Sequence, residues 1–393
     1  MRVLRVSPQR PVSPSFFVCP SGKMPAPFPS ESFDEPARDP RKPAFPYNSG
    51  LNLTIRRHIP PQPFGACGYE RDARPRNLIK SKEIQGLTHS EFCLRYPPTE
   101  TRPHPDTSTR TIRIIDQLAC RDGRGVQVVR CSLEGGNRIY VAKIYDPLYY
   151  TFGCEGWAKR SDVTLLADED YSREASGYEE LRKAGVDGSL VPTYYGSWTF
   201  EASLLNTRIT RQVRLILVEF IKGESLMSLY RSSLPSSAPK RLNSEQRLRI
   251  LARAMEVYSK VHFCQVSHGD FAPRNAVLRG PDLENPDIVL IDLNSCTVHT
   301  RPKSVYRPVE ARRPLNPAYL FWSELPEGFE YWFPEPHFSK PAVYKGWLRS
   351  QSRWYDPAKF EQPTKENRES ENFDEPVEYS DPISDEENRL KCQ

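Results

Sequence analysis

The stretch SHGDFAPRNAVL, from Ser267 to Leu278, places an aspartate and an asparagine five residues apart between apolar flanks. Asp and Asn are poor strand formers, and Gly and Pro interrupt helices, so the stretch predicts a loop held between two ordered elements. With Asp270 and Asn275 at a fixed spacing, this loop is either a satisfied turn or a site for metal binding and proton transfer. The neighbouring segments help to choose between the two interpretations.

A long helix is predicted before this loop and a strand after it. We expect Ser244 to cap the helix, whose apolar stripe at helical spacing is formed by Leu248, Leu251, Met255, Tyr258 and Val261. Downstream, DIVLIDLN predicts an apolar strand that ends at Asp292. Because Asp270, Asn275 and Asp292 then lie on adjacent loops or strand ends, we expect their side chains to converge. Converging carboxylate and amide oxygens are what a Mg²⁺ site requires.

Three short strands with intervening turns are predicted upstream, at Thr111–Leu118, Val126–Cys131 and Arg138–Tyr145. The first turn contains Gly123 and Gly125. Two glycines let a backbone approach a phosphate closely, but they are also typical of an ordinary hairpin turn. Lys143 lies inside the third strand, where its side chain either points to solvent or lines a cleft.

A helix is predicted next, over Asp168–Gly185, from an apolar face that recurs at i, i+4 and i+7. This helix would present Glu174 towards the strand that carries Lys143. Alternatively, Glu174 is one of several surface glutamates that pair with the basic residues of the same helix, Arg173, Arg182 and Lys183. Two further strands are predicted at Tyr194–Phe200 and Val213–Ile221, and the second is apolar enough to be buried on both faces.

Proline is unevenly distributed along the chain. Residues 1–110 contain 19 of the 38 prolines, whereas 111–300 contain 7 and 301–393 contain 12. Proline removes a backbone donor and fixes φ, so a segment this rich in it rarely forms a packed core. We therefore predict that residues 1–108 are mostly disordered, with PAPFPS and IPPQPF as polyproline segments.

The C-terminal third combines an aromatic part with an acidic part. Four of the six tryptophans lie in 301–360, which indicates a folded lobe there, because disordered segments seldom carry so many large apolar rings. Residues 361–393 carry 11 Asp or Glu against 4 Lys or Arg. That charge predicts an acidic, disordered tail over 359–393. The tail and the proline-rich N-terminus are both candidate segments for binding partners.

Composition narrows the classes of partner and compartment. A net charge of +5, on 55 basic and 50 acidic residues, shows no concentrated basic face, so a nucleic acid is not expected as a partner. No apolar run approaches the roughly 18 residues of a membrane span. The nine scattered cysteines include no CxxC pair and predict reduced thiols in an intracellular protein, cytoplasmic or nuclear. The arginine-rich and serine-rich N-terminus leaves mitochondrial import as the alternative.

The order of these features resembles the protein-kinase-like fold. A glycine turn, a strand lysine, a helix glutamate, an apolar strand, a long helix, HGDFAPRN and IDLN follow one another over about residues 111–300. The HGD form of the loop is similar to that of aminoglycoside, choline and other small-substrate phosphotransferases. The stretches YVAKIYDPLYY, YSREASGYEEL and VPTYYGSW resemble the poorly characterised kinase-like proteins of filamentous fungi.

The resemblance implies an α+β, bilobal fold flanked by disordered termini. An antiparallel-sheet N-lobe with the hinge would occupy residues 109–224, and a short helical C-lobe would occupy residues 225–358. The implied activity is transfer of the γ-phosphate of ATP, with Mg²⁺, to a hydroxyl of a protein or of a small molecule.

The resemblance also implies roles for individual residues around the reacting groups. Asp270 would act as the general base near the acceptor hydroxyl. Asn275 and Asp292 would hold Mg²⁺ on the phosphates of ATP. Lys143 would contact the α- and β-phosphates, and Glu174 would pair with it.

The remaining implied roles concern the nucleotide. Gly123 and Gly125 would belong to the loop that covers the phosphates. Backbone groups of Glu219 and Ile221 would bind the adenine, with Val218 behind it. His268 would serve as a structural hydrogen-bonding residue rather than as the base.

Several departures from the kinase pattern leave alternatives open. Asp292-Leu293-Asn294 replaces the DFG triplet, no APE-like motif follows it, and Arg274 resembles the arginine of the AARN loop of tyrosine kinases. One hypothesis is an active phosphotransferase with a protein or small-molecule acceptor. A second is a pseudokinase that binds nucleotide or a partner without turnover. In the third, the motif is a coincidence.

Overall fold

A computed structural model describes residues 39–65, 68–152, 160–232, 242–370 and 372–373. Within them the strands are β1 (Asn52–Arg57), β2 (Thr109–Ala119), β3 (Gln127–Leu133), β4 (Ile139–Tyr145), β5 (Tyr194–Ser203), β6 (Thr210–Glu219), β7 (Gly223–Ser225), β8 (Val266–Ser267), β9 (Ala276–Arg279), β10 (Asp287–Leu290) and β11 (Thr297–Val298). The α-helices are α1 (Ser81–Ile84), α2 (His89–Arg95), α3 (Val163–Lys183), α4 (Leu226–Ser232), α5 (Ser244–Phe263), α6 (Pro317–Leu320), α7 (Pro341–Ser350) and α8 (Lys365–Ser370). The fold is therefore of the α+β class.

The chain divides into two compact units. The first contains residues up to Ser176 together with 196–217 and 301–306. The second contains 177–195, 218–300 and the residues from Arg307 onward. Each predicted lobe is one continuous stretch of sequence, whereas each unit consists of several stretches. The reason is that α3, β5 and β6 each continue from one unit into the other.

The first unit is built on a closed sheet with the strand order β1-β2-β3-β4-β6-β5. β2, β3 and β4 pair antiparallel in the meander that the sequence predicts, with Val129 opposite Ala142. β1 closes the sheet, because it pairs antiparallel with β2 on one side and with β5 on the other. Its apolar residues Leu53 and Ile55 alternate with polar ones and point into the core.

The prediction that residues 1–108 are mostly disordered is wrong for residues 39–108 in the described part of the chain. Tyr47, Ile55, Phe64 and Phe92 from this segment are at most 1% exposed, and α2 begins with a capping box at Thr88. Proline count was a poor guide here, since prolines in irregular stretches do not prevent neighbouring aromatic rings from being buried. Residues 1–38 lie outside the described residues.

A buried ion pair fastens this segment to the sheet. Arg211 donates from Nη1 to Asp146 Oδ1 at 2.5 Å and from Nη2 to Oδ2 at 2.8 Å. The hydroxyl of Tyr47 donates to the same carboxylate. The side chains of Arg211 and Asp146 are 4% and 0% exposed. We call Arg211, Asp146 and Tyr47 the arginine triad.

The second unit is organised around α5, whose apolar stripe is buried as predicted except for the half-buried Tyr258. The helix is capped by Asn243 rather than Ser244, because Asn243 and Gln246 form a reciprocal capping box. After α5 the chain forms two small sheets, β10-β9-β7 and β11-β8. The strand predicted to end at Asp292 ends at Leu290.

The aromatic C-terminal part belongs to the second unit. Its four tryptophans are buried, at 1%, 1%, 4% and 0% exposure for Trp322, Trp332, Trp347 and Trp354. The folded part continues past the predicted boundary at 358, because Phe360 and Phe373 are also 3% exposed and Phe373 packs on Trp322. The rest of the predicted tail, residues 374–393, lies outside the described residues.

Two further expectations concern cysteines and membranes. Among the described residues, Cys93, Cys120, Cys131, Cys264 and Cys296 are free thiols. Within the same residues, no helix combines the length and the apolar character that crossing a membrane requires.

Candidate active site

A buried lysine and a buried glutamate meet in the first unit. Lys143 on β4 lies 2.6 Å from the carboxylate of Glu174 on α3, and the two side chains are 8% and 0% exposed. The hydroxyl of Tyr145 donates to the same carboxylate at 2.6 Å. Lys143 and Tyr145 are two residues apart on β4, so both reach Glu174 from one face of the strand. We call Lys143, Glu174 and Tyr145 the lysine triad.

The lysine triad decides between the alternatives for these two side chains. Lys143 does not point to solvent, and Glu174 is not a surface charge. The neighbouring Arg173 pairs instead with Glu169 at 2.6 Å and with Asp170 at 3.1 Å. That the pair serves ATP stays a prediction.

The glycine turn, residues 121–125, is held by hydrogen bonds within the first unit. Gly123 and Gly125 have φ values of +76° and +99°, which favour glycine. The buried side chain of Gln127 donates to the carbonyl oxygens of Arg121 and Gly125 and accepts from the N–H of Arg121. The N–H groups of Gly123 and Arg124 donate to backbone carbonyls of the protein. The turn is thus well ordered, and its role with phosphate stays a prediction.

The predicted adenine-binding segment lies at the end of β6, in the second unit. Val218 is 4% exposed, and the N–H of Glu219 donates to the carbonyl oxygen of Thr193 at 2.9 Å. The carboxylate of Glu219 accepts from the N–H and the hydroxyl of Thr193. Ile221 follows the strand in irregular, half-buried backbone. Glu219 is therefore a structural anchor through its N–H and its side chain, so adenine recognition would fall to its carbonyl and to Ile221.

In the loop that carries Asp270, neighbouring side chains donate hydrogen bonds to the carboxylate of Asp270. Asn275 donates from Nδ2 to Asp270 Oδ2 at 2.8 Å and to the Asp270 carbonyl at 3.0 Å. Arg274 donates from Nη2 to Asp270 Oδ1 at 2.5 Å. The side chains of Asp270 and Arg274 are 27% and 58% exposed, so the carboxylate is accessible at the surface of the second unit.

A histidine fixes this loop to the segment that carries Asp292. His268 is fully buried, accepts from the N–H of Asp270 at Nδ1, and is 3.0 Å from the carbonyl oxygen of Ile291 at Nε2. With Nδ1 as the acceptor, the ring donates from Nε2–H to Ile291. These bonds give His268 the structural role that the resemblance implies and leave no nitrogen for proton transfer.

Two backbone features bring Asp292 close to the loop. The N–H of Ile291 donates to the carbonyl oxygen of Asn275 at 2.9 Å, and Asp292 follows with a φ of +66°. Gly269 packs so tightly that a Cβ atom there would lie 2.1 Å from the carbonyl oxygen of Ser295. The loop of Asp270 and Asn275 is therefore hydrogen-bonded to the backbone that leads into Asp292, and the convergence of the three side chains stays a prediction.

The donor set of this loop fits Mg²⁺. Because Nδ2 of Asn275 is turned to Asp270, its Oδ1 is the oxygen left that could act as a ligand, and Asp292 is the carboxylate that the sequence predicts beside it. Mg²⁺ takes one or two protein carboxylates and completes its shell with phosphates and water. No group of three or more His, Cys, Asp or Glu side chains forms a metal site of the protein alone within the described residues.

Sequence reasoning assigned no role to two tyrosines next to these residues, although strand alternation already placed Tyr145 beside Lys143. Tyr145 was detectable, because alternation along a strand places it on the same face as Lys143. Tyr150, which donates to Asp170 at 3.1 Å, follows the strand in an irregular segment. No periodic pattern in the sequence marks it.

No protein-family model matches this chain, and no curated protein matches it either. Solved structures that match include protein kinase domains. The BubR1 kinase domain is similar at 13% identity over 55% of this chain, with a TM-score of 0.34, and the PknI kinase domain of Mycobacterium tuberculosis at 15% identity over 47% of this chain, with a TM-score of 0.30. The chain spans 58% of the length of each of these two structures.

Proposed function

We propose that this chain is an ATP- and Mg²⁺-dependent phosphotransferase that moves the γ-phosphate to a hydroxyl group. The observation that carries the proposal is the loop of Asp270 and Asn275, hydrogen-bonded to the segment of Asp292. The loop holds a partly exposed carboxylate beside an amide side chain, and the second carboxylate, Asp292, directly follows the hydrogen-bonded Ile291. Those are the groups that phosphoryl transfer uses for the acceptor and for the metal.

In the proposed reaction the acceptor hydroxyl gives its proton to Asp270. The acceptor oxygen forms a bond to the γ-phosphorus, and the bond from that phosphorus to the oxygen of the β-phosphate breaks, which releases ADP. Asn275 and Asp292 would hold Mg²⁺, which when bound neutralises negative charge on the phosphates. Asn275 also orients Asp270, through the hydrogen bond to Oδ2.

The lysine triad supports the nucleotide half of the proposal. An ammonium group that is only 8% exposed is costly to bury, even when a carboxylate compensates for it. Lysine presents rotatable donors, so Lys143 can hold Glu174 and also contact phosphate oxygens. Since Tyr145 donates to the same carboxylate, Glu174 is kept in place on α3.

The acceptor is the open part of the proposal, with a protein serine or threonine and a small molecule as the two versions. Arg274 bears on this choice, because its guanidinium is 58% exposed and lies beside Asp270. An acceptor that approaches Asp270 meets this positive charge, which favours acceptors with a nearby anionic group.

A pseudokinase is the second candidate function, and two observations favour it. The N–H groups of Gly123 and Arg124 are already used within the protein, so the glycine turn has fewer donors for phosphate. In addition, Leu293 and Asn294 stand where kinases carry Phe and Gly. Such a protein would bind nucleotide without turning it over.

Transfer of labelled phosphate separates the two candidates. Purified protein is incubated with Mg²⁺ and ATP labelled at the γ-position, in the presence of a generic protein substrate or a pool of hydroxylated metabolites. Asp270→Asn should abolish transfer and leave Mg-ATP binding within about twofold of wild type. Asp287→Asn is the matched control, because Asp287 forms a comparable ion pair with Arg279 at 2.6 Å in the same unit.

Each outcome has a defined meaning. Transfer by the wild type and by Asp287→Asn, but not by Asp270→Asn, supports the phosphotransferase. Binding of Mg-ATP without transfer to any acceptor supports the pseudokinase. Mg-ATP should raise the melting temperature of the wild type more than that of Lys143→Met. If Mg-ATP raises the melting temperature of neither protein, the phosphotransferase and the pseudokinase are both wrong.

A further inference from the structure

Three consecutive residues, 149–151, contact the glycine turn. The N–H of Gly123 donates to the carbonyl oxygen of Tyr149 at 3.0 Å, and the hydroxyl of Thr151 donates to the carbonyl oxygen of Gly123. The ring of Tyr150 lies against Gly125, where a Cβ atom would be 3.6 Å from the ring. The turn therefore rests on three consecutive residues that follow β4.

Tyr150 extends this contact to helix α3. Its side chain is buried, and its hydroxyl donates to Asp170 Oδ2 at 3.1 Å. Asp170 lies four residues before Glu174, one turn along the same helix, and its other oxygen accepts from Arg173 at 3.1 Å. A single side chain thus bridges the glycine turn and the helix that carries Glu174.

The protonation states suit this hydrogen bond. Burial and the nearby Asp170 carboxylate raise the pKa of Tyr150 well above its ordinary value, so the hydroxyl keeps its proton and donates. Burial raises the pKa of Asp170 to about 6, so the carboxylate is mostly ionised at neutral pH and accepts. The bond is therefore charge-assisted, which makes it stronger than a bond between neutral groups.

The adjacent Tyr149 has different partners from Tyr150. Tyr149 packs against Phe45 and Tyr47, and its hydroxyl donates to the carbonyl oxygen of Pro43 at 3.2 Å. Tyr149 therefore fastens the segment to the N-terminal residues. Tyr150 alone of the two contacts α3 through its hydroxyl.

We propose that Tyr150 is a positioning residue that sets the glycine turn at a fixed place relative to Glu174 and Lys143. This inference rests on the proposed nucleotide site, because its purpose is to hold the turn over the phosphates of ATP. Tyr150 acts through the turn and through Asp170, and it need not touch the nucleotide. A loosened turn binds Mg-ATP less tightly in the ground state and in the transition state by the same amount. We therefore expect a higher KM for ATP and an unchanged kcat.

Tyr150→Phe and Tyr149→Phe form the matched pair of variants, since each removes one hydroxyl from a buried ring at neighbouring positions. The first readout is amide hydrogen exchange of residues 121–125 without nucleotide. The second is the KM for ATP against kcat. Tyr150→Phe should speed the exchange and raise KM, each by roughly fivefold, with kcat within about twofold; the loss of a charge-assisted hydrogen bond allows effects of this size. Tyr149→Phe should change neither readout.

Asp170→Asn and Asp170→Glu extend the test from the other end of the bond. The asparagine variant removes the charged acceptor and should behave as Tyr150→Phe does, whereas the glutamate variant keeps a carboxylate and should recover most of the wild-type KM. Equal exchange and equal KM in Tyr150→Phe and Tyr149→Phe would overturn the inference. Faster exchange with an unchanged KM would overturn it too, because the turn would then not serve the nucleotide.

The two proposals fail in different ways. If wild-type protein neither binds nor turns over Mg-ATP, the proposed function is wrong, and a positioning role towards nucleotide falls with it. If the wild type transfers phosphate and Tyr150→Phe does so with an unchanged KM, only the inference about Tyr150 is wrong.

Discussion

The first unit contains two buried clusters of the same composition, each with a cation, a carboxylate and a tyrosine hydroxyl. In the arginine triad the carboxylate of Asp146 accepts from both Nη atoms of Arg211, from Tyr47 and from the N–H of Leu148. In the lysine triad, Glu174 accepts from the ammonium of Lys143 and from Tyr145. Similar burial thus accompanies a guanidinium that donates twice to one carboxylate in the first cluster and an ammonium group in the second.

We propose that this difference separates a structural cluster from one that serves the proposed activity. A guanidinium held in a two-point fork is fixed in one orientation, which suits a permanent link between β6 and the N-terminal segment. An ammonium group on a flexible stem can share its donors with a ligand. We expect changes to the arginine triad to affect stability, and changes to the lysine triad to affect activity as well.

The largest expected loss of stability comes from Arg211→Met. The substitution leaves the carboxylate of Asp146 buried without its cation, and breaking a buried pair in this way costs about 3–5 kcal/mol. Urea denaturation of the variant and the wild type measures the free energy of unfolding. A loss below about 1 kcal/mol would contradict the structural role of the arginine triad.

Replacing both charges of a triad should distinguish the two clusters most sharply. Lys143→Met combined with Glu174→Leu should lose only about 1 kcal/mol of unfolding free energy, because the hydroxyl of Tyr145 loses its acceptor while apolar pairs often replace buried ion pairs without further loss. Phosphate transfer should nevertheless fall by about 10²–10³-fold, the cost of removing one preorganised donor to the reacting charge.

The matched double variant is Arg211→Met with Asp146→Leu. It should be destabilised more than the lysine-triad double, because two donors, the N–H of Leu148 and the hydroxyl of Tyr47, lose their acceptor rather than one. Urea denaturation and the transfer assay are applied to both doubles. Full recovery of stability by the arginine-triad double, or retained transfer by the lysine-triad double, would remove the distinction.

A smaller effect is expected when the fork is replaced by a single ammonium group. Arg211→Lys keeps the charge but cannot make both hydrogen bonds to Asp146, so we expect a loss of about 2–3 kcal/mol. Thermal and urea denaturation measure it. Wild-type stability in Arg211→Lys would show that the two-point geometry contributes nothing.

Several of these contacts follow from the sequence and others do not. The alternation of β4 and the spacing of the α3 helix left the surroundings of Lys143 and Glu174 open, and the resemblance to kinases implied that the two residues pair. The arginine triad joins Tyr47, Asp146 and Arg211, which lie 65 or more residues apart with no periodicity relating them. Only the folded chain identifies them as partners.

Strand β1 has a signal in the sequence that the prediction did not use. Residues 52–57 alternate polar and apolar, which is the period of a half-buried strand, but the surrounding prolines dominated the prediction. The loop of Asp270 shows the opposite case. Its spacing predicts that Asn275 lies near the carboxylate, whereas the tight packing of Gly269 on Ser295 depends on a close backbone approach between distant residues.

The surroundings of the lysine triad also contain a titrating group. Burial raises the pKa of Asp170 to about 6, above its ordinary value of 3.8, so the folded protein binds a proton there more tightly than the unfolded chain does. Stability should therefore fall as pH rises from about 4 to about 6, by about 2 kcal/mol after allowance for the partial exposure of the side chain.

The variant Asp170→Asn isolates this contribution from the other titrating groups. Subtracting its unfolding free energy from that of the wild type at pH 4, 5, 6 and 7 should give a difference that decreases as pH rises and is flat above about pH 7. A difference that increases with pH would mean that the folded-state pKa of Asp170 is lowered rather than raised.

The smallest effects are expected from the tyrosine hydroxyls, and they bear directly on the difference between the triads. Tyr47→Phe removes one of four donors to Asp146, whereas Tyr145→Phe removes a donor from the carboxylate that pairs with Lys143. Each should cost about 1 kcal/mol of unfolding free energy. Tyr145→Phe should in addition lower phosphate transfer by about threefold, because Glu174 then holds Lys143 less firmly. Equal transfer rates in the two variants would place both tyrosines in the same structural role.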